Sequence, residues 1–155
     1  MNEPTELRAF SRSLPMALLR CREAVMARFR PMLREHRLSE QQWRILRALC
    51  AIGPLRAGDL AQHTLLSAPS VSRLVKTLSE RGLIRRVANA KDLRAATITV
   101  TAKGRKLVDQ IAPLSEAIYA EIGGAIGSRD LDHLYGLLDE ATSRLGLSAV
   151  AGDDT

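Results

Sequence analysis

Apolar residues recur at helical spacing near the N-terminus of the chain. From Leu14 to Met32 they follow one another every three or four positions, which predicts a long amphipathic helix over residues 11–35. Pro31 is expected to kink or break this helix near its end, because proline lacks the amide hydrogen that the helical ladder needs. The chain therefore opens with one long helix that carries an apolar stripe.

Two further amphipathic helices are predicted towards the C-terminus. An apolar stripe runs from Leu107 to Ile126 behind Thr101, a natural N-cap, although Pro113 should bend this helix. A second stripe, from Leu131 to Leu145, follows Ser128, which we expect to cap the last helix. Both ends of the chain thus consist of long helices with one apolar face.

Shorter elements fill the segment between these long helices. Ser39 and Gln42 have the spacing of a capping box and open a helix that Gly53-Pro54 ends. Residues 57–64 and 67–81 form two helices separated by a short gap, which suits a tight helix-turn-helix.

Two β-type runs follow these helices, Ile84–Val87 and Ala96–Val100, on either side of the polar connector ANAKDLR. The order helix, helix, strand, connector, strand is that of a winged helix-turn-helix, whose second helix enters the major groove of DNA. The length of 155 residues suits one domain. We therefore predict a mainly α (α+β) fold with a winged helix-turn-helix core and long terminal helices.

Charge is distributed unevenly along the chain, whose net charge is +6. Residues 67–106 contain ten basic and two acidic side chains, whereas residues 107–155 contain two basic and nine acidic ones. The basic block coincides with the predicted helix-turn-helix and wing, which favours double-stranded DNA as the partner.

The second short helix carries the candidate DNA-reading residues. Ser67 is expected to be its N-cap, and Pro69 suits the first turn, where a missing amide hydrogen costs nothing. An inner apolar face leaves Ser70, Arg73 and Lys76 pointing outward, and that inner face consists of Val71, Leu74, Val75 and Leu78. This narrow, basic helix end suits a major groove, although Arg73 and Lys76 could also form an ordinary solvated face.

The strands and their connector add further cations. Arg85 and Arg86 are placed to contact the DNA backbone, although residues of this type help solubility equally often. Arg94 is expected at the tip of the connector, where an arginine suits a narrow minor groove, with Asp92 holding its guanidinium.

Catalytic signatures are missing from the sequence. His36, His63 and His133 form no H-E-x-x-H pattern, and Cys21 and Cys50 have no metal-ligand spacing. We therefore expect no enzymatic activity, no cofactor and no metal site. A polar start without a signal peptide, and no long apolar run, predict a cytoplasmic protein.

These segments together resemble the multiple-antibiotic-resistance regulator (MarR) family. The resemblance spans about residues 10–146, and one departure is Asn89-Ala90, where the family often has Asp-Pro. The pieces that carry it are Leu60-Ala61, Ser70–Arg73, Leu78 to Ile84, Asp92-x-Arg94 and Thr101-x-Lys103-Gly104.

The resemblance implies a homodimer that regulates transcription. Its dimerisation helices would be residues 10–36 and 102–146, and its DNA-binding core residues 39–101, within one domain over residues 1–155. In this family the recognition helices read the major grooves of a pseudo-palindromic operator and the wing arginines reach the minor groove. The resemblance carries these roles to Pro69, Ser70 and Arg73 on the helix, and to Asp92 and Arg94 on the wing.

Residues 10–49 look most like the regulators of homoprotocatechuate and 4-hydroxyphenylacetate degradation. This likeness implies a repressor that is released by a small aromatic carboxylate, bound between the dimerisation helices and the DNA-binding lobe. Arg20 would make a two-pronged contact to the carboxylate, Trp43 would form a flat wall, and His36 would reach the mouth. The plainer alternatives are a surface ion pair for Arg20, a core position for Trp43 and a loop position for His36.

Two other classes of protein fit parts of the sequence. A basic dimer that coats DNA without sequence preference would bind with a steep salt dependence and without a small-molecule ligand. A helical module that binds a protein partner and never meets DNA is the third class, and the basic block argues against it.

Overall fold

A computed structural model describes residues 7–146, with the side chains of Asn89 and residues 93–95 excepted, so the outermost residues of the predicted domain 1–155 lie outside it. Long helices stand at both ends of this range and shorter elements lie between them. In chain order the helices and strands, after a 3-10 turn at Phe10–Arg12, are α1 (Leu14–Glu35), α2 (Glu40–Ile52), β1 (Leu55–Arg56), α3 (Ala57–Thr64), α4 (Ala68–Glu80), β2 (Ile84–Asn89), β3 (Asp92–Val100), α5 (Ala102–Ile126) and α6 (Ser128–Arg144).

Three of the expected helix caps are present. Gln42 N–H donates to Ser39 Oγ at 3.1 Å while Ser39 N–H donates to Gln42 Oε1 at 3.0 Å, which confirms the capping box. Thr101 Oγ1 accepts from the Gly104 amide at 3.0 Å at the start of α5. Ser67 Oγ accepts from the Ser70 amide at 3.4 Å at the start of α4.

The expected cap at Ser128 is wrong, and of the kink or break expected at Pro31 the break is absent. Ser128 does not cap α6, because Gly127, with φ of 94°, makes the tight turn from α5 and leaves Ser128 as the first helical residue. No break occurs at Pro31, since α1 continues to Glu35. The proline stands near the helix end, where it removes a single ladder bond, and the buried side chains of Met32 and Leu33 hold the last turn in the core.

The sheet is antiparallel in the order β1–β3–β2. The polar connector expected over residues 88–94 is mostly strand, because β2 runs to Asn89 and β3 begins at Asp92. Backbone pairing of a projecting hairpin does not require apolar side chains, so the ladder extends beyond the hydrophobic runs. The short strand β1 was not expected, and it pairs Leu55 with Ile98.

The core lies where the C-terminal half of α1 meets α2, α3, α4, the sheet and α5. Its most deeply buried side chains are Leu33, Ile45, Leu46, Leu49, Leu60, Leu78, Ile84, Ile98 and Ile111. The terminal helices extend beyond this core, and no residue of α6 in the described range is buried. The C-terminal half of α1 and helix α5 thus complete the core of the winged segment, whereas large apolar side chains at the start of α1 and on α6 remain exposed.

Gly104, in the first turn of α5, touches the backbone that follows α4. A Cβ atom at this position would overlap the Leu83 carbonyl oxygen and come within 2.8 Å of Val100 Cγ2. The Leu83 carbonyl accepts from the Thr101 amide at 3.0 Å, so the two segments are joined at the same point. A side chain is excluded here by the close approach of two backbones.

Candidate functional site

The predicted recognition helix is α4, and its apolar face is buried as expected. A left-handed residue, Leu65 with φ of 51°, ends α3 and turns the chain into α4. Ser67 and Pro69 are exposed at the start of α4, and the Ser67 hydroxyl donates to Ser70 Oγ at 2.9 Å. The turn thus presents a slim, polar helix N-terminus to solvent.

The outward face of α4 is basic. Arg73 is exposed, and its guanidinium takes part in no hydrogen bond or ion pair with the side chains and backbone that the structure describes. Lys76 lies 4.0 Å from Glu80, but both side chains are well exposed, so this pair contributes little and leaves the lysine accessible.

Three of the predicted DNA-binding cations line one groove between α4 and β2. Lys76, Arg85 and Arg86 surround a cavity of about 530 Å³, whose other walls include Val75 and Ile84. Ser79 and Glu80 line it as well, so three cations face one carboxylate, and this excess of positive charge suits a DNA backbone.

Arg94 is not at the tip of the wing. It lies within β3, and the hairpin turn is at Ala90-Lys91, because the strands continue past the expected connector. The side chain of Arg94, and with it the expected contact to Asp92, lies outside the described part of the structure. Asp92 is exposed at the start of β3.

The C-terminal end of α4 is tied to the rest of the core by Arg81. Arg81 Nη1 donates to the Arg37 carbonyl at 2.7 Å and Nη2 to the His36 carbonyl at 3.4 Å, both in the loop between α1 and α2. Lys103 Nζ donates to the Arg81 carbonyl at 2.8 Å. The sequence alone did not single out Arg81, because its partners are backbone atoms more than forty residues away.

The three predicted ligand-binding residues are not brought together in one cavity of the chain. Arg20 is exposed, donates to the Ser11 carbonyl at 2.5 Å and lines a cavity beside the N-terminal turn. His36 Nδ1 lies 2.8 Å from the Met32 carbonyl, and this residue lines none of the cavities described here. Trp43 is 8% exposed and lines a separate cavity formed by α1, α2 and α5, with His63 of α3 also on its wall.

The cavity beside Trp43 combines aromatic walls with cations. Its volume is about 350 Å³, and the ring of Phe29 meets the ring of Tyr119 edge-on at 5.0 Å between centroids. Arg44 and Arg47 line the same cavity. Sequence reasoning missed both arginines and Tyr119, although Arg47 follows Trp43 by one helical turn.

An ion network lies at the edge of this cavity. Glu40 accepts from Arg30 Nε and from Arg22 Nη2, both at 2.6 Å, and Arg30 also donates to Glu23 at 2.5 Å. Burial alone would raise the pKa of Glu40, but the hydrogen bonds from Arg30 and Arg22 outweigh it and hold the pKa below its ordinary value. Glu40 therefore stays ionised and fixes the start of α2 against α1.

Large apolar side chains are exposed on the terminal helices. Within the described residues they cluster before and along the start of α1 and on α6, and include Leu7, Phe10, Leu14, Leu18, Leu19, Tyr135, Leu137, Leu138 and Leu145. An exposed apolar surface of this extent is typical of a protein–protein interface. Between residues 7 and 146, no helix combines the length and the apolar character needed to span a bilayer.

Comparison with known proteins gives consistent matches. A family model described as the MarR family matches residues 38–95. The homoprotocatechuate degradative operon repressor of Escherichia coli is 34% identical over 128 residues, which cover 83% of this chain and 86% of that protein. The HTH-type transcriptional regulator FarR of Neisseria gonorrhoeae is 33% identical and covers 83% of this chain and 88% of its own length.

Solved structures agree with these relatives. The transcriptional regulator PA4135 superposes with a TM-score of 0.81 at 34% identity, over 84% of this chain and 96% of that one. NadR in complex with 4-hydroxyphenylacetate superposes with a TM-score of 0.75 at 31% identity, over 88% of this chain and 97% of that one.

Proposed function

Because the chain belongs to the MarR family, we propose that it is a dimeric transcriptional repressor that binds a specific operator and releases it when a small aromatic carboxylate binds. The observation that carries this proposal is the placement of α4. Its apolar face is buried, while Pro69, Arg73 and Lys76 stay exposed on the outer side. A helix held in this way can enter a major groove without disturbing the core.

The DNA contacts divide by position on the winged core. Ser67, Pro69, Ser70 and Arg73 lie on the first turns of α4, where backbone amides and a long cation can meet base edges and phosphate. Lys76, Arg85 and Arg86 would hold the DNA backbone along the groove between α4 and β2. On the wing, Asp92 and Arg94 would serve the minor groove.

Dimerisation would cover the apolar faces of the terminal helices. These faces come from both ends of the chain and lie outside the core of the winged domain. Two copies related by a two-fold axis would bury them and would place the two α4 helices on half-sites about one helical turn apart, roughly 34 Å.

The effector would occupy the cavity beside Trp43. Its volume of about 350 Å³ suits a small aromatic molecule, Trp43 and Tyr119 offer apolar walls, and Arg44 and Arg47 offer partners for a carboxylate. NadR, which is similar over most of its length, was solved with 4-hydroxyphenylacetate bound. Arg20 and His36 lie outside this cavity, so a role for Arg20 in the same site requires that the partner protomer brings it there.

The proposal is tested by measuring binding to the DNA upstream of the chain's own gene and to a scrambled duplex at the same salt concentration. We expect tighter binding to the upstream DNA, and a loss of that binding when millimolar 4-hydroxyphenylacetate or homoprotocatechuate is added. Equal affinity for both duplexes would favour a protein that coats DNA without sequence preference. Specific binding that neither acid affects would remove the effector from the proposal and leave the operator binding.

A further inference from the structure

Arg44 touches both the aromatic cavity and the helix-turn-helix. It lies on α2 beside Trp43, and its side chain lines the cavity that Trp43 and Tyr119 form. In the same conformation Arg44 Nη1 donates a hydrogen bond of 3.0 Å to the carbonyl of Thr64. One guanidinium therefore connects two places that are twenty residues apart in sequence.

Thr64 is the residue from which the chain turns towards α4. It is the last residue of α3, it is 1% exposed, and Leu65 behind it has φ of 51°. Two backbone hydrogen bonds hold the turn. The Leu65 amide donates to the Gln62 carbonyl at 3.3 Å, and the Leu66 amide donates to the Ala61 carbonyl at 3.1 Å. The bond from Arg44 adds a contact from another element to this turn, directly before the N-cap of α4.

We propose that Arg44 transmits the state of the aromatic cavity to the recognition helix. This inference rests on the proposed function. In the free protein Arg44 anchors the end of α3 through the Thr64 carbonyl, and a carboxylate in the cavity draws the guanidinium away from it. A charge-assisted, two-pronged pair with a carboxylate is stronger than a bond to a neutral carbonyl, so the exchange is favourable. The turn before α4 then loses its anchor to α2.

Arg47 provides a matched control for this role. It lines the same cavity and carries the same charge, but its side chain makes no hydrogen bond or ion pair within the described residues. Both arginines can attract a carboxylate, whereas only Arg44 also binds the end of α3 among the contacts described above. The two variants therefore separate capture of the effector from transmission of its signal.

The experiment measures operator affinity without effector and with 4-hydroxyphenylacetate at a concentration that saturates each variant. For the wild type, we expect the operator affinity without effector to exceed the affinity with effector by about 5–150-fold, the usual size of such coupling. Arg44→Gln is expected to bind the operator weakly from the start, like the liganded wild type, and to show a ratio below about twofold. Arg47→Gln is expected to need more acid for saturation but to keep the full ratio. Arg44→Lys keeps the charge without the planar fork and is expected to give an intermediate ratio.

Hydrogen exchange at the amides of Leu65 and Leu66 supplies a second readout. Exchange there should rise when 4-hydroxyphenylacetate binds the wild type, and it should be equally high in Arg44→Gln with or without the acid. The proposal is overturned if Arg44→Gln binds the operator as tightly as the wild type does. It is also overturned if 4-hydroxyphenylacetate lowers the operator affinity of Arg44→Gln by the same factor as that of the wild type. If 4-hydroxyphenylacetate does not release the wild-type protein from the operator, the effector part of the proposed function fails, and this inference fails with it.

Discussion

At the scale of single residues, Gly104 is the glycine of the described chain where an added side chain would meet the closest contact. Gly104→Ala would drive a methyl group into the Leu83 carbonyl, which is backbone and cannot rotate away. We expect the free energy of unfolding to fall by about 3 kcal/mol or more, measured by urea denaturation at a fixed protein concentration. Gly58→Ala, where no atom lies within 4 Å of the new methyl, should change it by less than about 1 kcal/mol. Similar losses for the two variants would contradict the close-contact explanation.

Arg73 and Arg86 are expected to affect DNA binding in different ways. Arg73→Ala should weaken operator binding by about 1–3 kcal/mol while changing binding to random DNA much less, because this side chain would meet a base edge. Arg86→Ala should weaken both duplexes alike and reduce the salt slope of log affinity by about one unit, because it would meet a phosphate. Fluorescence anisotropy over a range of salt concentrations measures both quantities. If Arg73→Ala weakens binding to the operator and to random DNA equally, the Arg73 side chain does not read a base.

At the scale of elements, the contact between α1 and α2 depends on the ionised form of Glu40. The pKa of Glu40 is lower in the folded protein than its ordinary value of 4.5. The ionised carboxylate therefore contributes fully to the free energy of unfolding above pH 4.5, and this contribution is lost as the pH falls through the pKa of the folded protein. Glu40→Gln should therefore destabilise the protein by about 1 kcal/mol at pH 7, and this difference should shrink below pH 4.5.

Thermal unfolding of the wild type and Glu40→Gln between pH 3 and pH 7 tests this dependence. Glu35→Gln is a suitable control, since Glu35 is exposed on α1 and makes no ion pair within the described residues. Its stability should differ from the wild type by less than about 0.5 kcal/mol at every pH. A Glu40→Gln penalty that persists unchanged at pH 3 would point to lost packing instead of lost charge.

The elements that the sequence predicted correctly are those whose signals are local. The capping box at Ser39 and the cap at Thr101 each involve a partner three residues away, so the sequence contains the whole interaction. Ser128 failed as a cap because Gly127 provides the turn one residue earlier. The strand β1 has two residues and exists only through its pairing with β3, which no local pattern encodes.

The candidate cavity was predicted less well because it is assembled from distant segments. Trp43, Arg44 and Arg47 lie on one helix, but the sequence does not show that this side of α2 borders a cavity, and Tyr119 joins it only when α5 packs against α2. By contrast, the outward positions of Arg73 and Lys76 follow directly from the periodicity of α4, whose other face is buried. Periodicity determines which side of a helix is buried, but it does not determine which other helix covers that side.

At the scale of the whole molecule, the open apolar faces predict a stable dimer. Leu138→Glu would place a charge on the exposed apolar face of α6 and should convert the protein to a monomer at micromolar concentration. Its operator affinity should fall as well, because a monomer contacts only one half-site of the operator. Val87→Glu alters an exposed apolar residue on the wing and should leave the sedimentation coefficient unchanged. A wild type that sediments as a monomer would contradict the dimer.

The attachment of α4 at its C-terminal end has a geometric consequence. Arg81 and Lys103 hold that end to the α1–α2 loop and to α5, so any rotation of α4 has its pivot there. Thirteen residues of helix place the opposite tip about 20 Å from the pivot. A rotation of about 5° then displaces the tip by roughly 1.7 Å, which exceeds the tolerance of a hydrogen bond to a base edge. Under the proposed function, a rotation of this size about the C-terminal end of α4 would be enough to break its contacts with base edges.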